Sequence, residues 1–185
     1  MEAGAMLPPG AGRKMRVMVA IDESDGSFYA LQWALDNIIV NGVTATNEPS
    51  QDTGMVTLVH VQHPFQPAIY PVGPGAAAAF YTPPNIVESV RKAQQENSAA
   101  ILSRALKICN DKMIKAETLI MEGDAKDMIC QATEQMHVDL LVVGSRGLGK
   151  IKRAFLGSVS DYCAHHTKCP ILIVRPPPPS TSSRP

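Results

Sequence analysis

Leu140-Leu-Val-Val-Gly-Ser-Arg-Gly-Leu-Gly-Lys-Ile-Lys-Arg-Ala-Phe-Leu-Gly-Ser-Val-Ser160 is the stretch on which the fold turns. It opens on an unbroken apolar run, as a strand buried on both faces does. It closes on Ser158 and Ser160, residue types that start helices. Between them lie Gly144, Gly147, Gly149 and Gly157, which let a backbone come close to a ligand and turn its amides inward. Arg146, Lys150, Lys152 and Arg153 add four positive charges to a segment without an acid. Strand, basic glycine loop and helix start together favour an anion such as phosphate at one point. Taken singly, the glycines would be turns, the serines caps and the basic run a solvated face. Their coincidence at a strand-to-helix junction favours the phosphate reading.

Outward from this stretch, strands and helices alternate. Val17 to Ile21 is a short apolar run, and Phe28, Leu31, Leu35 and Ile38 then follow at helical spacing. Met55 to Val61 reads as the second strand. Asn85, three residues before Glu88, reads as a capping box for a long helix with an apolar face of Ile86, Val90, Ala93, Ile101, Ala105 and Ile108. Ala116 to Met121 is a third, less buried strand, and Asp124 caps a helix carrying Met128, Ile129, Ala132 and Met136. Leu140 to Val143 is the fourth strand, and Pro170 to Val174 the fifth, after a helix from Ser158. Such alternation predicts a single doubly wound α/β domain with a five-stranded parallel sheet and helices on both faces. Ligands in such sheets sit beyond the carboxyl ends of the strands, where the strand order reverses.

The chain has 185 residues, 17 basic and 17 acidic, enough for one core of useful size. Zero formal net charge argues against a general nucleic-acid binder, and no apolar run is long enough for a membrane helix. Residues 1–14 lack an apolar signal segment, so the expectation is a soluble cytoplasmic protein, with entry to the nucleus left open. Six of 15 prolines fall between Pro64 and Pro84, and five lie from Pro176 to Pro185. The domain is therefore expected over residues 15–175, with a Pro-rich loop insertion at 62–84 and disordered tails at 1–14 and 176–185. Cys109, Cys130, Cys163 and Cys169 form no C-x-x-C and no disulfide ladder, and read as free thiols.

Two familiar phosphate patterns fail. Gly144 to Lys150 reads G-x-x-x-x-G-K, but Ile151 stands where a hydroxyl would hold magnesium. Gly147-Leu-Gly149 starts G-x-G-x-x-G, but Lys152 replaces the last glycine. The pattern present is G-x-x-G, nine residues, then G-S, at Gly144, Gly147, Gly157 and Ser158. With Val19 to Ser24 at the end of the first strand and Gly123 after the third, the chain resembles the universal stress protein family, the plant-type members in particular.

That resemblance implies a strand order of 3-2-1-4-5, with the loop at Asp22 beside the loop at Gly144. It implies binding of ATP or AMP, with magnesium carried through the phosphates. Ala20, Ile21 and Asp22 would border the adenosine, and Val61 would line the adenine. Met121 and Gly123 would approach adenine and ribose by backbone. Gly144, Arg146, Gly147, Gly157, Ser158, Val159 and Ser160 would hold the phosphates. Asp22 has an equally good second reading, as a cap for the first helix, a job it could share with Ser24 or Asp25.

Other candidates have plainer explanations. His60 and His63 lie near the end of the second strand, within reach of a nucleotide in one reading. His165 and His166 ease the dipole at the last helix's end, His137 stands apart, and no zinc spacing results. Trp33 reads as packing, and Asp161 as a first-turn acid. No nucleophile with an activating base is recognisable. The expected function is an adenine-nucleotide-binding stress-response module, with a slow ATP hydrolase or a nucleotide-independent adaptor or chaperone as alternatives. A homodimer paired through strand five is the expected assembly, again on the resemblance.

Overall fold

The computed structural model describes residues 15–39, 55–64, 84–147 and 156–177. The N-terminal tail, most of the C-terminal tail and of the Pro-rich insertion, and Lys150, Lys152 and Arg153 of the basic loop lie outside the described residues.

Five strands, β1 (Val17–Ala20), β2 (Val56–Gln62), β3 (Ala116–Glu122), β4 (Leu140–Gly144) and β5 (Ile171–Val174), form one sheet of order β3-β2-β1-β4-β5. Every pairing is parallel. The helices are α1 (Asp25–Ala34), α2 (Pro84–Asp111), α3 (Ala125–Gln135) and α4 (Ser158–His166). A π-helical turn, Leu35–Ile39, extends α1. Its wider turn buries Ile39, while Ile38, the expected face residue, is half-buried.

β1 explains why the apolar runs do not alternate with polar residues. Val17 and Val19 pack with Phe28, Leu31 and Leu35 of the α1 segment and Leu102 and Ala105 of α2. Met18, pointing the other way, packs with Ile129 and Ala132 of α3 and Cys163 of α4. Both faces of the strand are covered, so both sets of side chains must be apolar. Each such side chain contributes about 1.5–3 kcal/mol by leaving water. Trp33 packs at the edge of the first cluster. At the margin of the sheet, β3 exposes Glu117, Thr118, Ile120 and Glu122.

The long helix departs from expectation in two respects. It begins at Pro84, and the Asn85 carbonyl accepts a hydrogen bond from Ser89 Oγ at 2.7 Å, so Asn85 lies inside the helix. Proline suits a first helical position because its missing N–H would have had no partner there. The expected apolar face is buried only in its second half. Every residue from Asn85 to Asn97 is exposed or half-buried, Ile86 and Ala93 among the exposed, and burial starts at Ser98. Twenty-eight residues make a helix about 42 Å long. The seven of β2 reach about 23 Å, so the helix overhangs the sheet at its carboxyl edge.

Candidate functional site

Beyond the carboxyl ends of β1, β2 and β4 lies a cavity of about 680 Å³. Ala20, Ile21 and Asp22 reach it from β1, Val61 from β2, and Gly144, Arg146 and Gly147 from β4. Gly157, Ser158, Val159 and Ser160 reach it from the start of α4. Of the thirteen site residues expected from the sequence, Met121 and Gly123 are outside the lining. Met121 pairs with Val61 across β2 and β3, and the Gly123 N–H donates to the Gln62 carbonyl at 2.9 Å.

One end of the cavity is built around α4. Gly157 occupies the N-cap with no side-chain cap hydrogen bond, so the serines do not cap this helix. Ser160 Oγ instead turns back to the Gly157 carbonyl at 2.9 Å. The opening amides of α4 therefore keep their donors for another acceptor. The Gly157 N–H is bound to the Ser145 carbonyl at 2.8 Å, fixing the helix start against the end of β4. A Cβ on Gly157 would stand 3.3 Å from Arg146 Cα. Arg146 Nε is buried with no hydrogen-bond partner among the described residues. The residue as a whole is half-buried and lines the cavity, so its positive charge stands by this helix start and favours an anion there.

Asp22 forms the wall between the ends. Its Oδ1 accepts from the Ser24 N–H at 3.0 Å and from the Ser24 hydroxyl, and Ser24 caps α1. A Cβ on Gly147 would stand 2.6 Å from Asp22 Oδ2, so the β4 loop runs hard against this carboxylate. The cap of α1 is thus Ser24, and Asp22 supports it from two residues upstream while still lining the cavity.

At the other end the walls are polar side chains. Gln62 Nε2 donates to Ser98 Oγ at 2.7 Å, and Gln94 Nε2 to the His63 carbonyl at 3.0 Å. Asn97 Nδ2 donates to Glu23 Oε1. Gln62, Gln94, Asn97 and Ser98 all line the cavity, and the sequence reading passed over them. Their signal was a polar patch at 94, 97 and 98 on a helix otherwise read for its apolar stripe. His60, a minor candidate from sequence, is buried on the same wall, its Nδ1 2.8 Å from the Ile21 carbonyl. His63 is exposed at the rim.

The remaining candidates are occupied elsewhere. His165 and His166 Nδ1 each lie 2.8 Å from carbonyls one turn back in α4. Burial pushes the Cys109 thiol up to about 11 and that of Cys163 to about 12, so both stay protonated at neutral pH. The four cysteines are free thiols, and among the described residues no His, Cys, Asp and Glu group could hold a metal. No helix among the described residues is long and apolar enough to cross a membrane.

A sheet of order 3-2-1-4-5 with an uncapped, glycine-started helix at the switch point is matched by one family model, that of the universal stress protein family, over residues 15–175. The chain belongs to the universal stress protein family. It is 28% identical over 179 residues to the universal stress protein A-like protein of Arabidopsis thaliana, spanning 92% of this chain and 95% of that one. Among solved structures it is similar to a universal stress protein family protein from Arabidopsis thaliana with AMP bound. The TM-score is 0.58 at 24% identity, over 88% of this chain and 92% of that one. A universal stress protein in complex with cAMP aligns with a TM-score of 0.56 at 20% identity, over 86% and 96% of the two chains. At these identities the structures bear on the fold.

Proposed function

We propose that this universal stress protein binds an adenine nucleotide, ATP or AMP, and acts as a nucleotide-dependent module in a stress response. One observation carries the reading: the cavity has an anion-seeking end and a base-reading end. The first is the uncapped start of α4 with the half-buried, cavity-lining Arg146 beside it. The second is the peptide edge of Val61. β1 pairs with β2 only as far as Ala20 opposite Val59, with the Ile21 N–H donating to the Val59 carbonyl at 2.8 Å. In a strand every second residue presents its N–H and C=O to the same side, so Val61 also faces β1, beyond the last pairing. An N–H beside a C=O past the last pairing complements adenine, whose N1 accepts and whose amino group donates.

Ala20, Ile21 and Val61 would flank the base, and Asp22 the ribose or a magnesium ion. Gly144, Arg146, Gly147, Gly157, Ser158, Val159 and Ser160 would hold the phosphates. Met121 would contribute through Val61, with which it pairs, and Gly123 through Gln62, whose carbonyl it engages. Magnesium would ride on the phosphates, since the described residues offer it no cluster of their own. The AMP and cAMP complexes of the two similar structures agree with this choice of ligand class. Mass spectrometry of small molecules released from gently purified protein tests it. An adenine nucleotide near stoichiometric amount is expected, and protein that neither carries nor takes up AMP or ATP would overturn the reading.

The second part of the proposal is a homodimer through β5. The β3 margin carries exposed Glu117 and Glu122, which discourage edge pairing, whereas β5 is four aliphatic residues. Two copies of one edge pair antiparallel across a two-fold axis. Ile173→Lys sets like charges close to each other there. Sedimentation should show dimeric wild type and a monomeric variant; a dimer indifferent to the lysine would refute the interface.

A further inference from the structure

His60 and Gln62 flank Val61 on β2 and, two residues apart, share a face of the strand. Both line the cavity, and in both the donor is already committed. His60 Nδ1 lies 2.8 Å from the Ile21 carbonyl, which can only accept. The ring proton is therefore on Nδ1, and Nε2 is left as an acceptor. Ser98 Oγ gives its hydrogen to the Gln94 carbonyl at 2.9 Å, so toward Gln62 it acts as acceptor. Gln62 Nε2 also points to the Gln94 carbonyl, at 3.3 Å. Those contacts fix the amide orientation, with Oε1 free.

Neither His60 Nε2 nor Gln62 Oε1 receives a hydrogen bond from any described residue. Both residues line the cavity, His60 with 8% of its surface exposed. Beside the Val61 peptide edge, β2 thus offers two side-chain acceptors.

Resting on the adenine-nucleotide reading, we propose that His60 Nε2 and Gln62 Oε1 are specificity-determining acceptors for the exocyclic amino group of the base. The Val61 carbonyl takes one amino hydrogen, and the acceptor pair takes the other. A base with a carbonyl at that position, as in guanine or hypoxanthine, would set acceptor against acceptor and leave the pair unsatisfied. The α2 overhang has a function in this account: Ser98 and Gln94 hold the Gln62 amide so that its oxygen faces the ligand.

The test compares AMP with purine riboside 5′-monophosphate, which has hydrogen in place of the amino group, by calorimetry. His60→Asn keeps a donor near the Nδ1 position for the Ile21 carbonyl and removes the Nε2 acceptor. Gln62→Leu removes the second acceptor. Wild type should prefer AMP by about tenfold or more, the worth of one buried hydrogen bond. Each variant should lower that preference by at least about threefold and leave the purine nucleotide within about twofold of wild type. If His60→Asn fails to fold, Gln62→Leu carries the same comparison. Equal wild-type affinity for the two nucleotides, a preference unchanged in both variants, or equal losses for both nucleotides would overturn the inference alone. Wild type that binds neither nucleotide overturns it together with the reading on which it rests.

Discussion

The α4 end and the α2 end of the cavity solve the same problem with opposite materials. At α4 the chain offers peptide groups: the uncapped start of the helix, held against β4 by the Gly157 N–H, with the half-buried Arg146 beside it. At α2 it offers side chains, Gln62, Gln94, Asn97 and Ser98, oriented by one another and by His63 and Glu23. Peptide donors need close approach, which demands glycine and tolerates little change. Side-chain networks spread the work, so each member counts for less. The difference predicts a steep mutational response at one end of the cavity and a shallow one at the other.

The sharpest way to break the comparison is Gly157→Val. Its Cβ alone would meet Arg146 Cα at 3.3 Å and Ser160 Oγ at 3.6 Å, and the added methyls would enter the cradle. Losing one or two charge-assisted amide contacts should weaken ATP by about a hundredfold or more. The core strands are untouched, so circular dichroism should remain that of a folded α/β domain. Unchanged ATP affinity in calorimetry would remove the phosphates from this end.

Arg146→Ala comes next. A charge-assisted hydrogen bond contributes about 1.5–3 kcal/mol, so ATP should weaken by about tenfold or more while adenosine holds its affinity. The substitution also abolishes a buried unpartnered nitrogen, so the ligand-free protein should be no less stable. Equal loss for ATP and adenosine would place the guanidinium away from phosphate.

Ser98→Ala should have the smallest effect, and on the other class of ligand. It removes the acceptor that positions Gln62 Nε2, while the Gln94 carbonyl still receives that group at 3.3 Å. Affinity for AMP should fall by about two- to fivefold, less than one full hydrogen bond, and that for inorganic pyrophosphate not at all. A tenfold loss here would erase the contrast between the two ends.

The sequence makes legible whatever depends on chain neighbours. Val17 to Ile21 and Leu140 to Val143 announce strands buried on both faces because a doubly covered strand permits no polar residue. Gly144, Gly147, Gly157 and Ser158 announce the loop because close backbone approach restricts residue type within one short segment. Asp124 proves a helix cap for the same local reason, its side chain accepting from the Lys126 N–H at 3.2 Å. The capping-box reading starts α2 two residues late, because Asn85 and Glu88 imitate a box that Pro84 pre-empts.

The sequence by itself determined the αβ alternation, the two-sided core and the glycine-rich loop after β4, since each rests on residues a few positions apart. Tertiary structure alone decided three things. It gave the serines of α4 other roles by seating Gly157 at the N-cap. It buried Arg146 Nε without a partner. It also carried the polar stripe of α2 past the sheet edge, where Ser98 meets Gln62 from 36 positions away. No local pattern encodes that meeting, because the overhang depends on a 28-residue helix lying against a seven-residue strand. Where a side chain's partner is set by relative element length and packing, the residues record only that it is polar.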